Sequence, residues 1–158
     1  MASKKELWMR QAIDLAVENV RSGRGGPFGA LVVKEDRVIS SGVNSVVVGN
    51  DPTAHAEVAA IRAACRELGT FQLHECELYA SCEPCPMCLG AIYWARFKAF
   101  YFANSRQTAA AAGFDDVRIY DELMLPPEMR SIPSQLVLAG RGVEPFEEWA
   151  RASRKVLY

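Results

Sequence analysis

The stretch Ser81-Cys82-Glu83-Pro84-Cys85-Pro86-Met87-Cys88 packs three cysteines and two prolines into eight residues. That much sulfur in one place serves a disulfide, a redox pair or a metal site, and the rest of the chain decides among them. The sequence holds five cysteines (Cys65, Cys76, Cys82, Cys85 and Cys88), an odd number. No apolar run approaches the roughly 20 residues that span a bilayer, and MASKKELWMRQ at the N-terminus lacks the apolar segment and cleavage site of a secretory signal. The expected location is cytoplasmic, where thiols stay reduced, so a disulfide framework is disfavoured and metal binding or catalysis becomes the better reading.

Composition narrows the partners. With 158 residues, half of them hydrophobic, the chain suits one soluble domain with a buried core. Its 18 Lys and Arg against 19 Asp and Glu leave a formal charge of −1. A protein that grips a polyanion usually carries a basic surplus. A small, nearly neutral substrate is therefore expected, with no nucleic acid and no membrane.

The pattern alternates helices and strands. Ser3-x-x-Glu6 has the form of a capping box, and Met9, Ile13, Ala16, Val17 and Val20 recur behind it at helical spacing, which predicts a helix over residues 4–22. Residues 28–33 and 38–40 read as a hairpin about the charged turn 34–37. The glycines before it lack the GK[ST] ending of a phosphate loop. "NDPTAHAEVAAIRAACRELG" predicts a helix capped near Asp51 and ended by Gly69, with Ala54, Val58, Ile61, Cys65 and Leu68 buried. Strands are expected at 77–80, 99–102 and 135–139. Helices are expected from Pro86 and over 144–155, with a helical or irregular stretch over 107–122. Tyr93 and Trp94 suit either core or pocket wall. The whole reads as α/β with a layered sheet.

Cys85 and Cys88 lie i, i+3, so in the first turn of a helix both sulfurs can face one point near its positive end, which favours thiolate. His55-Ala56-Glu57 opens the other helix. His55 and Glu57 project about 160° apart and cannot share a point beside that helix, but both can reach a site off its N-terminal end. Two thiolates and one imidazole leave a fourth tetrahedral position open, as catalytic rather than structural zinc requires. Glu57, unbound to the metal, is then placed to move a proton. A structural zinc module, or a redox pair at Cys85 and Cys88, are the readings from other classes; the former has no use for an unligated carboxylate.

"HAE" with "EPCPMC" is the H-x-E…P-C-x-x-C signature of zinc-dependent nucleobase deaminases. Along nearly its whole length the chain resembles the cytidine deaminase-like superfamily. "GGPFGA", "NDPTAHAEV", "AAAAGFDDVRIY" and the terminal "KVLY" are similar to the small bacterial guanine deaminases within it. The resemblance implies a three-layer α/β/α fold with a central mixed sheet of about five strands, one deaminase domain over residues 1–158, and Zn2+ held by His55, Cys85 and Cys88. It implies hydrolysis of guanine to xanthine and ammonia, zinc-bound hydroxide attacking C2 with Glu57 as proton shuttle. Phe28 would stack on the purine, Asn44 offer an amide to the base edge, Asp116 accept from the ring N–H side, and Ser81 accept from the amine through its carbonyl. Ala56 would also touch the substrate, and Asp115 competes with Asp116. The C-terminal segment would be swapped in a homodimer, bringing Tyr158 over the neighbour's site. Guanosine is the nearest alternative substrate; cytosine and tRNA adenosine fit "GFDD" and the terminal tyrosine less well.

Overall fold

Ser3 and Glu6 start the first helix reciprocally: Ser3 Oγ accepts the Glu6 N–H at 3.3 Å, and the Glu6 carboxylate accepts the Ser3 N–H at 2.7 Å. The computed structural model describes residues 3–114 and 116–158. The chain forms two compact units, the first reaching Tyr120 and the second Asp121–Tyr158. Asp115 lies outside the described residues.

Helix α1 (Lys4–Arg21) buries Ala12, Ala16 and Asn19, with Trp8, Met9 and Leu15 half-buried beside them. Ile13, Val17 and Val20, expected on the packed face, are exposed instead. Close approach of backbones decides this. A Cβ on Gly29, the first residue of strand β1 (Gly29–Lys34), would lie 2.5 Å from the Ala12 carbonyl oxygen and 2.8 Å from the Ala16 nitrogen. The small face of α1 thus lies against the strand, and the bulkier stripe is turned away.

Strand β1 pairs antiparallel with β2 (Arg37–Val43) through a tight turn in which Glu35 and Asp36 both take positive φ. After the short helix α2 (Val46–Gly49) comes α3 (Ala56–Leu68), ended by left-handed Gly69. This helix starts later than Asp51. Asp51 closes its own turn, accepting from the Thr53 N–H and hydroxyl at 2.8 and 2.7 Å. Its buried face is Ala56, Glu57, Val58, Ala60, Ile61 and Ala64, whereas Cys65 is only half-buried. Strand β3 (Cys76–Ala80), helix α4 (Pro86–Trp94), strand β4 (Ala99–Phe102) and helices α5 (Arg106–Ala111) and α6 (Asp116–Met124) follow. Tyr93 and Trp94 are exposed and so lie outside the core.

The sheet order is β2-β1-β3-β4; β1 is antiparallel to both β2 and β3, and β3 is parallel to β4. Alternation along the strands sorts the two faces. Ala30, Val32, Leu78 and Ala80 pack against Ala56, Ala60, Ile61 and Ala64 of α3 and Ile92 of α4. Leu31, Val33 and Tyr79 pack against α1. The first unit is thus the expected three-layer α/β/α arrangement.

The second unit departs from expectation. Residues 135–139 form no strand ladder among the described residues, so the sheet has four strands rather than about five. Leu136, Val137 and Leu138 are 83, 69 and 72 % exposed, and Leu138 has a left-handed φ of 56° that no regular strand tolerates. The last helix, α7 (Glu144–Arg151), stops before Lys155, whose ammonium turns back to the Ala150 carbonyl at 2.6 Å.

Candidate active site

Two helix starts build the site. His55 is the N-cap residue of α3 and Cys85 that of α4, both with extended backbone, and neither side chain caps its own helix. Pro86, in the first turn of α4, has no N–H to satisfy. The imidazole and the thiol are therefore free to point at each other. Cys88, one turn into α4, completes the group and is wholly buried.

The Sγ atoms of Cys85 and Cys88 each lie 3.5 Å from His55 Nδ1. Tetrahedral bonds of about 2.05 Å to nitrogen and 2.3 Å to sulfur put the same atoms about 3.5 Å apart. The three donors thus stand where zinc needs them. Among the described residues this is the one group of metal-ligating side chains so gathered, and all five cysteines are free thiols, which removes the disulfide reading.

Charge follows the same geometry. The Cys88 thiol, and then His55, hold the Cys85 thiol down to about 4, while the Cys85 thiolate pushes Cys88 up. His55 is raised, first by its bond to Cys85. Glu57, buried in the first turn of α3, is raised chiefly by loss of solvent. Cys82, next to the site, is pushed up to about 11 by burial and is a packed thiol. Cys76 is likewise buried in the main core.

A cavity of about 390 Å³ opens on this group. It brings together Phe28, Asn44, His55, Glu57, Cys85 and Asp116 from the expected set. Ala56 is buried behind it in the core. Ser81 Oγ accepts the Gly29 N–H at 3.0 Å, and the residue lines a groove with Pro27 and Asn104. Tyr158 belongs to the second unit, exposed beside Phe146 and Trp149.

Several lining residues went unnoticed in the sequence. Phe114 meets Phe28 edge to face with centroids 4.8 Å apart, fixing the ring that borders the cavity. Val46, Val47 and Glu83 add to the wall. Behind it stands Asn19, fully buried on α1, whose Nδ2 donates to the Asn44 carbonyl at 2.8 Å and to the Gly26 carbonyl at 2.9 Å. Asn44 Oδ1 accepts from Gly26 and Val46 N–H groups at 3.3 and 3.4 Å, so its side chain offers the cavity the Nδ2 donor. The one signal for Asn19 was its place at i+7 from Ala12 on a face of small residues, a polar group where a core helix should be apolar.

Three protein donors rather than four mark a catalytic metal, and the buried carboxylate at its side marks proton transfer; fold and site together define a metal-dependent hydrolytic enzyme. The model of the cytidine and deoxycytidylate deaminase zinc-binding region matches residues 2–104, and the chain belongs to this deaminase family, whose metal is zinc. A guanine deaminase of Bacillus subtilis is 52 % identical over 153 residues, spanning 97 % of this chain and 98 % of its own. The crystal structure of the guanine deaminase from that organism superposes with a TM-score of 0.94 over the same shares of the two chains. A guanine deaminase from Nitrosomonas europaea is 34 % identical with a TM-score of 0.68, over 73 % of this chain and 66 % of that one. A tRNA-specific adenosine deaminase of Aquifex aeolicus is 43 % identical over 99 residues, 63 % of this chain and 65 % of its own.

Proposed function

We propose that the chain hydrolyses guanine to xanthine and ammonia. The observation that carries this is the likeness to a guanine deaminase over 97 % of the chain, which runs on through Phe114 and Asp116 of the cavity wall. The likeness to tRNA adenosine deaminases spans only part of the chain.

His55, Cys85 and Cys88 hold the zinc, which when bound lowers the pKa of water enough to make a nucleophile near neutral pH. Phe28, steadied by Phe114, stacks on the purine, and Asn44 donates its amide to an acceptor on the base edge. Asp116 accepts from the ring N–H side, and Ala56 closes the floor. Ser81 is assigned a carbonyl contact with the amine, supported by the resemblance alone. Glu57 takes one proton of the water that attacks C2 and delivers it to ring N3; it then takes the remaining proton of that oxygen and passes it to the amine as the C2–N bond breaks and the C2 carbonyl forms. Burial raises the carboxyl, which suits a group that must both accept and release a proton.

We infer further that residues 1–158 work as one deaminase domain in a swapped homodimer, Tyr158 closing the neighbour's site. Leu136, Val137, Leu138, Phe146, Val156 and Leu157 are exposed in the single chain, an apolar set that a second copy would cover. The enzyme acts in the cytoplasm, in keeping with its five free thiols. Among the described residues no helix is long and apolar enough to cross a membrane.

The test is ammonia release from guanine, guanosine, cytosine and adenosine by the pure zinc-loaded protein. Guanine is expected to be turned over fastest, and release from guanosine alone would overturn the assignment. For the swap, coexpressing a Glu57→Ala chain with a chain lacking Tyr158 is expected to regenerate activity that neither has alone. In a swapped pair one site receives both an intact Glu57 and an intact tail, whereas without a swap every site stays defective.

A further inference from the structure

We propose that Glu83, Arg106 and Tyr120 form a clasp that sets the distance between the metal loop and the substrate-facing wall, making Arg106 and Tyr120 positioning residues for substrate recognition. The segment carrying Phe114 and Asp116 is fastened at both ends to the two residues that precede the ligand Cys85. At its start, the Arg106 N–H donates to Glu83 Oε2 at 3.0 Å, and the guanidinium pairs with Glu83 Oε1 at 3.7 Å. The Glu83 N–H in turn donates to the Asn104 carbonyl at 2.8 Å. At its end, the Tyr120 hydroxyl donates to the Pro84 carbonyl at 2.8 Å. The Arg106 guanidinium lies over the Tyr120 ring, 4.3 Å from its centroid, so the two fastenings brace one another.

Between these anchors the chain bends through Gly113, whose φ of 94° demands a glycine, and presents Phe114 and Asp116 to the cavity. Neither of those residues lies on a strand, and each depends on the anchors for its position relative to the zinc ligands. Glu83 also lines the cavity, but its carboxylate is engaged by Arg106. It holds the wall rather than the substrate. The inference deepens the reading of Asp116 as a base contact and rests on it for its route of action.

Tyr120→Phe deletes one hydroxyl and keeps the ring under Arg106. It is expected to raise KM for guanine about fivefold, the scale of one lost hydrogen bond. Change in kcat should stay within about twofold, with zinc bound one per chain; Arg106→Lys, which loses the fork and the stacking, should do the same. In an Asp116→Asn background the Tyr120→Phe increment should shrink, because the part of it that acts through Asp116 is already lost and only the part through Phe114 remains. A KM unchanged by Tyr120→Phe, an increment that persists in full beside Asp116→Asn, or loss of zinc would each overturn the clasp. If Asp116→Asn itself left KM unaltered, the base-contact reading would fall. The effect of Tyr120→Phe alone would still decide the clasp, through Phe114.

Discussion

Glu57→Ala is expected to bind one zinc per chain and to lose turnover at least ~100-fold, the usual scale for a general acid or base. The metal donors are His55, Cys85 and Cys88, so removing the carboxylate takes nothing from the coordination shell. With the metal stripped, the folded state should not suffer either. A carboxyl whose pKa is raised by burial is less stable ionised in the folded protein than in the unfolded chain, so at neutral pH its removal relieves a cost. Metal analysis, urea unfolding and ammonia release on one preparation check all three statements. Unchanged turnover would take Glu57 out of the mechanism and leave a zinc module without hydrolytic chemistry.

Cys88→Ser should empty the metal site and abolish activity, since a hydroxyl does not replace a thiolate on zinc at neutral pH. Stripping zinc from the natural chain gives a finer test. With the metal gone, the Cys88 thiol and His55 hold Cys85 well below the usual thiol range, which favours its thiolate in mild acid, whereas Cys82, pushed up to about 11 by burial, stays protonated. Iodoacetamide at pH 6 is expected to label Cys85 first, through the cavity it lines, and prior loading with zinc to protect it. Peptide mapping reads the result. Equal labelling of Cys82 and Cys85 would contradict the electrostatics described for the pair.

The metal centre was legible because its information is local. Cys85 and Cys88 sit one turn apart behind two prolines, and His55 with Glu57 opens a helix of strong periodicity. Where packing between distant segments decides, the sequence misled. The face of α1 was misjudged because Ile13, Val17 and Val20 outweigh Ala12 and Ala16 in any apolar count. The vacant side of Gly29 nevertheless draws the smaller residues inward. The start of α3 was placed too early because Asp51 is a good cap in the abstract but closes a turn with Thr53. Residues 135–139 have strand-forming side chains, but a strand exists only beside another, and no composition supplies the neighbour. Asn19 matters through what it touches in three dimensions, and no short motif announces it.

Asn19 carries one more consequence. Its Nδ2 ties the Gly26 and Asn44 carbonyls together, but its Oδ1 is buried with no hydrogen-bond partner among the described residues. An orphaned acceptor of this kind costs about 1–3 kcal/mol. A laboratory seeking a heat-tolerant version would therefore be drawn to position 19, and an apolar replacement there would remove the orphan while releasing the loop that presents Asn44. Ruggedness and affinity pull against each other at this single side chain, ten residues before the first strand begins.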